Sequence, residues 1–230
     1  MMSIRSGLVA LASLVLLAPL AGAQEGDRVA AMASSLKTSM AALRHYEWIE
    51  TSTTSMNGEE KAKSQNRCYY DAEGKLTKVA TGGGTEGGGK KGGIRGKAAE
   101  NKKAEIAASM KAAVAMVHDY LPPDPARIQT AKEEGKLAIR PTDKNGRAGV
   151  DIKDYRKPGD LLTIEMDANT NHILKAAVSS YETAKDKDPV EFEATFKALP
   201  DGTIHTATTT FHLKSQGVTV KIENTGYKKS

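Results

Sequence analysis

From residue 136 to residue 227 the chain repeats one unit, a short β-prone run followed by a turn. The runs are 136–140, 148–155, 161–167, 173–182, 190–198, 203–213 and 218–227. The turns are Lys144-Asn145-Gly146, Lys157-Pro158-Gly159-Asp160, Asn169-Thr170-Asn171, Pro200-Asp201-Gly202 and Ser215-Gln216-Gly217. Gly and Asn enter left-handed backbone at little cost and Pro presets φ, so such clusters reverse a chain. Links this short join antiparallel neighbours, because a parallel crossover needs a dozen or more residues. In the run 190–198, Val190, Phe192, Ala194, Phe196 and Ala198 share one face, while Glu191, Glu193, Thr195 and Lys197 take the other. Val218, Val220 and Ile222 repeat the alternation. The pattern predicts an antiparallel sheet with one covered face and one wet face.

The cover has to come from helices. Val29, Met32, Leu36, Met40 and Leu43 fall at helical spacing and predict a helix over 27–43, with Asp27 as its N-cap. Ile106, Met110, Val114, Val117 and Leu121 predict a second over 98–121, which Pro122-Pro123 ends. Asp124-Pro125 then reads as N-cap and first residue of a short helix closing at Gly135. Between the two long helices, 45–56 and 59–70 form a hairpin about Asn57-Gly58, and 75–80 adds a strand. A two-residue turn would pair Met56 with Glu59, Tyr46 with Tyr69, and Trp48 with Arg67, laying a guanidinium over the indole. Meandering strands with two helical segments and no βαβ rhythm predict an α+β fold. The expected form is a strongly curved antiparallel sheet, an incomplete barrel, wrapped around the helices as a single domain over 24–230.

The N-terminus reads as an export signal. Arg5 precedes an apolar run from Leu8 to Ala18, and Pro19 and Ala21-Gly22-Ala23 follow. The run is short against the ~20 residues that span a bilayer, so cleavage after Ala23 is expected and an integral membrane protein is not. The location to expect is the periplasm or the medium. Cys68 is the one cysteine of the 230 residues, so no intramolecular disulfide forms and stability must come from packing.

The net charge of +5 is local. Residues 82–103 carry Lys90, Lys91, Arg95, Lys97, Lys102 and Lys103 against Glu86 and Glu100, and the rest of the chain beyond residue 23 is neutral. A nucleic-acid protein spreads positive charge over a face, so no nucleic acid is expected. Nine glycines in 82–96 make the stretch 81–97 a flexible loop rich in Gly and Lys. Gly84 to Lys90 matches a phosphate-loop spacing, but Lys91 stands where that loop needs Ser or Thr for magnesium. Lys90, Lys91, Arg95 and Lys97 are instead candidates for contact with an anionic envelope surface or partner.

Catalytic patterns are wanting. His45, His118, His172, His205 and His212 form no metal-binding spacing, and His205 and His212, seven apart on one strand, are expected on opposite faces. No G-x-S-x-G occurs. No catalytic residue, metal or cofactor is nominated.

Three stretches now fall into one order: the helix from Asp27 to Leu43, the strand entry Tyr46-Glu47-Trp48, and the strand-turn Tyr69-Tyr70-Asp71-Ala72-Glu73-Gly74-Lys75. With the turn Asp167-Ala168-Asn169-Thr170-Asn171, the order resembles the periplasmic lipoprotein carriers of the LolA type and their lipid-binding relatives. That resemblance implies an incomplete barrel closed by helices over a hydrophobic cavity, and it assigns no residue a role. Gly92-Gly93-Ile94-Arg95-Gly96-Lys97, Leu121-Pro122-Pro123-Asp124-Pro125, Lys157-Pro158-Gly159-Asp160 and Leu199-Pro200-Asp201-Gly202-Thr203 are similar to stretches in a group of exported bacterial proteins without assigned function.

Two functions follow as expectations. One is a periplasmic, non-enzymatic binding module for a hydrophobic or lipidic ligand, with a lipid or lipoprotein as partner. Its candidate wall residues are Trp48, Ile106, Met110, Val114, Phe192 and Phe196. The other is an envelope structural or interaction protein that uses the basic loop.

Overall fold

The computed structural model describes residues 21–82, 115–117, 119–182, 184 and 187–230, with side chains from residue 29 onward. The expected helix 98–121 is described only at its end, where 115–117 and 119–120 are helical and the Leu121 amide donates to the Val117 carbonyl at 2.8 Å. Its Ile106, Met110 and Val114 lie outside the described residues, as does nearly all of the loop 81–97.

Helix α1 (Ala21–Ala42) leads through a 3-10 turn into strand β1 (Tyr46–Met56). Strands β2 (Glu59–Tyr70) and β3 (Leu76–Gly82) complete an N-terminal meander. Helix α2 (Pro125–Glu133) opens the second half, N-capped by the Asp124 carboxylate, which accepts from the Ala126 amide. Seven strands follow: β4 (Leu137–Arg140), β5 (Arg147–Lys153), β6 (Leu161–Asp167), β7 (Ile173–Tyr181), β8 (Pro189–Ala198), β9 (Ile204–Leu213) and β10 (Val218–Lys229). Turn chemistry sets these boundaries. Asp143 and Asp167 each accept two backbone amides of the turn they begin, and Gly146, Gly159, Gly202 and Gly217 take positive φ.

The ten strands of the described residues lie in one antiparallel sheet of order β3-β2-β1-β10-β9-β8-β7-β6-β5-β4. Every neighbour pair but one is consecutive in sequence. The exception is β1 with β10, where the first and last strands pair from Met56↔Val218 to Tyr46↔Lys229. Among the described residues the sheet does not close, and β3 and β4 are its edges. With helices against it, this is an α+β fold with a curved open sheet.

The covered face is built as the alternation implies. Ile152, Leu162, Ile164, Met166, Val178 and Phe192 are among the side chains that make one apolar surface from β5 to β10. Val29, Met32 and Leu36 of α1 and Ile128 and Ala131 of α2 join it, and Met116, Val117 and Leu121 pack against it. Opposite, Lys175 pairs with Glu193 across β7 and β8, and Lys214, just past β9, pairs with Glu191 of β8, both exposed.

Four expectations change. Helix α1 begins at Ala21, so Asp27 lies within it and not at its start. Met40 is 45% exposed, and the buried position on that turn is Ser39, whose hydroxyl accepts the Ile204 amide at 3.0 Å. A helix end held by a hydrogen bond rather than by apolar packing departs from a purely apolar stripe. Trp48 sits opposite Cys68, not Arg67. The turn does pair Met56 with Glu59 and Ser55 with Glu60, but Thr54 then pairs with Ala62, leaving Lys61 as an extra residue. One inserted residue shifts every later partner and exchanges the faces. Arg67 instead reaches Glu47 at 3.8 Å and the Tyr69 ring at 5.6 Å. An extra residue in β9, Ala207, has a like effect on the histidines. His212 pairs with Glu191 and His205 with Lys197, two positions on the same face of β8.

Ser39→Ala leaves the buried Ile204 amide without a partner and should lower stability by about 1–3 kcal/mol. Met40→Ala should stay within about 0.5 kcal/mol. Urea denaturation of both variants checks whether α1 is tied to the sheet through Ser39.

Candidate functional site

The side chains nominated from sequence for a ligand wall divide between two clusters. Phe192 and Phe196 are buried in the main core, and Phe192 lies 6.0 Å from Phe211, ring centre to ring centre. Trp48 belongs to a second cluster, formed where β1, β2 and β10 run together beside β9. There its indole stacks on Tyr227 at 5.6 Å, approaches Tyr70 at 5.9 Å and donates to Asn224 Oδ1 at 3.1 Å. Cys68 is fully buried beside it, and burial pushes its thiol up to about 11, so it is no nucleophile at neutral pH. Ile106, Met110, Val114, Lys90, Lys91, Arg95 and Lys97 lie outside the described residues.

His205 is buried 4.2 Å from the Tyr227 ring. Burial lowers its pKa below the ordinary 6.5, and the Lys197 charge adds to this against the hydrogen bond to the Thr206 carbonyl. The unfolded chain therefore takes up a proton more readily than the folded protein does. Stability should be lost as pH falls from about 6.5 through the folded-state value. His205→Gln should flatten that part of a stability–pH profile measured by denaturant titration.

The richest polar cluster lies elsewhere, where the helical residues 119–120 and α2 meet the loop between β5 and β6. Asp160 is 2% exposed. Its Oδ2 accepts the Tyr120 hydroxyl, the Arg156 amide at 3.0 Å and the Lys157 amide at 3.1 Å. Its Oδ1 has no hydrogen-bond partner among the described residues. Tyr120 also shares a hydrogen bond of 3.1 Å with Ser180 on β7 and lies 5.7 Å from the Tyr155 ring. Burial, then the Asp160 carboxylate, drives the Tyr120 pKa far above its usual value, so the hydroxyl remains a donor. Around this column, Arg156 pairs with Asp119 at 2.9 Å, the Asp124 amide donates to the Tyr155 hydroxyl at 2.7 Å, and Arg127 reaches the Tyr155 carbonyl at 3.3 Å.

Two clefts flank the column. One of about 500 Å³ is lined by Ala115, Met116, Tyr120, Arg156, Lys157 and Tyr181 among others, and one of about 410 Å³ by Arg127, Thr130, Lys136, Asp154, Tyr155 and Arg156 among others. The chemistry of the column is that of a fastening. Ser180 meets a hydroxyl whose own proton is committed to Asp160, so nothing in the cluster takes the serine proton. No group of three or more His, Cys, Asp or Glu placed to hold a metal occurs among the described residues. Sequence reading passed over Tyr120, Asp160 and Ser180, which are 40 and 60 residues apart along the chain. The one available signal was Asp160 closing the turn Lys157-Pro158-Gly159-Asp160.

Asp160→Ala should destabilise by about 3–5 kcal/mol, because it strands a buried hydroxyl and two partly buried amides. Glu193→Ala, which removes one exposed ion pair, should cost less than about 1 kcal/mol. Thermal melts of the two variants give the comparison.

No protein-family model matches this chain, and no curated protein does. Among solved structures it is similar to the crystal structure of a DUF1329 family protein from Desulfovibrio piger ATCC 29098. That likeness has 7% sequence identity and a TM-score of 0.38, and it covers 88% of this chain and 93% of the other.

Proposed function

We propose that the chain is a non-enzymatic binding module of the cell envelope, a carrier or sensor for a hydrophobic or lipidic ligand. The ligand would lie between the apolar face of the sheet and the helices over it. The observation behind this reading is the continuous apolar face of β5–β10, which, among the described residues, is covered by helices and not by a second sheet. Helices attached at a few points can be displaced without breaking strand pairing, whereas a second sheet cannot. The LolA-type resemblance of the element order supports the same reading, with an incomplete barrel as its finer form. Export by a signal over residues 1–23, with cleavage after Ala23, and residence in the periplasm belong to the same proposal.

Affinity would come from apolar burial. Each methylene buried contributes about 0.8 kcal/mol, or roughly fourfold in Kd, so affinity should rise with chain length until the space is filled. The test is native mass spectrometry of protein purified from the periplasm without detergent, followed by organic extraction. A stoichiometric lipid adduct on a chain beginning at Gln24 is the expected result. Bare protein that takes up no hydrophobic fluorescent probe would contradict the reading.

A further inference from the structure

We infer that Glu50 and Lys78 form a head-group site at the rim of the apolar face, and that the ligand is an amphiphile with a zwitterionic head, an anionic group beside an ammonium. The inference rests on the binding function proposed above and adds to it the class of ligand.

Strand register places the pair. Met56, Thr54, Ser52 and Glu50 alternate along β1 and stand opposite Val218, Val220, Ile222 and Asn224 of β10. Val218 and Val220 belong to the main core, and Met56 and Ile222 pack against it, so Glu50 lies on the same face of the sheet. Trp48 shares that face, opposite Cys68, which in turn stands opposite Lys78 of β3. The row of direct partners that starts at Ser52 runs through Ile222, Thr209, Ala194 and Ala176 to Ile164. The four strand spacings from β1 to β7 come to roughly 19 Å, so a long acyl chain laid along that row keeps its head near Glu50.

The pair differs from the other ion pairs. Both Glu50 carboxylate oxygens accept from Lys78 Nζ, at 2.8 and 2.7 Å. The Glu50 side chain is 12% exposed, against 30% for the next least exposed carboxylates in ion pairs among the described residues. Placing a carboxylate there costs desolvation that an apolar side chain would not. Lys78 is exposed, and so is Ser64 on the same face of β2, so a head group can reach the pair from solvent. The rings of Tyr70 and Tyr227 gather about Trp48 beside it. After burial, Cys68 and Tyr70, the Glu50 charge also raises the Tyr227 phenol, so carboxylate and rings act on one space. A carboxylate beside aromatic rings is the chemistry that takes an ammonium, and the Lys78 ammonium takes a phosphate or a carboxylate. A zwitterion exchanges partners with the pair and leaves no charge over. A head of one sign strands either Glu50 or Lys78 and binds more weakly.

Trp48 is the one tryptophan of the chain, so its emission reports on this site. The full chain is titrated with three single-chain amphiphiles of equal tail length, below their micelle-forming concentrations: a phosphocholine, a fatty acid and an alkyltrimethylammonium. The wild-type protein should bind the phosphocholine at least tenfold more tightly than either of the others. Glu50→Gln should turn the preference to the fatty acid and Lys78→Met to the alkyltrimethylammonium, each by tenfold or more. Glu50→Gln combined with Lys78→Met leaves no unpaired charge, guards against a folding defect in the single variants, and should bind all three alike. Equal binding of the three heads by the wild-type protein, or a preference that the substitutions do not move, would overturn the head-group site and leave the binding function standing. Uptake of none of the three, nor of a neutral hydrophobic probe, would overturn both.

Discussion

The pairing of β1 with β10 is the contact on which the rest depends. It joins the N-terminal meander β3-β2-β1 to the C-terminal meander β4–β10, which are otherwise separate runs of sequence neighbours. Without it there are two sheets with four edges. With it there is, among the described residues, one sheet with two edges, β3 and β4. The pairing also gathers Tyr46 and Trp48 of β1 with Tyr227 of β10, where three rings meet within 5.6 to 6.4 Å. The irregularity at Gly226, whose φ is +65°, brings Tyr227 to the Trp48 side at that junction.

Strands were legible because their ends are chemical. Asn57-Gly58, Gly146, Asn171, Gly202 and Gly217 all take the positive φ that their residue types favour, so the turns punctuate the chain where the sequence says they do. The covered face was legible from alternation in β8 and β10. What stayed hidden is what depends on counting across strands. Lys61 and Ala207 carry no mark of being extra residues, yet each exchanges the faces beyond it. The seam of β1 with β10 has no local signal at all. Ser39 was missed for another reason. A serine scores poorly in an apolar stripe, but its hydroxyl meets the Ile204 amide, which no apolar group could satisfy.

The candidate site divides in the same way. The apolar face was nominated through Phe192 and Phe196, which alternate along one strand. The fastening of Tyr120, Asp160 and Ser180 draws on a helix end, a loop and a strand, each unremarkable alone. Asp160 looked like a turn residue, and it is one. Its added role comes from burial, since a carboxylate that is 2% exposed has to find donors, and it finds three.

The central claim is that the apolar side of the sheet, beneath the helices, is where a ligand lies. Methyl-labelled protein and a long-chain ligand bearing a nitroxide on its tail test that directly by NMR. Paramagnetic broadening of the buried methyl groups of Leu162, Ile164 and Val178, with the exposed Leu76 and Val79 of β3 unaffected, is the expected result. Broadening confined to Leu76 and Val79, or no broadening at saturating ligand, would contradict it.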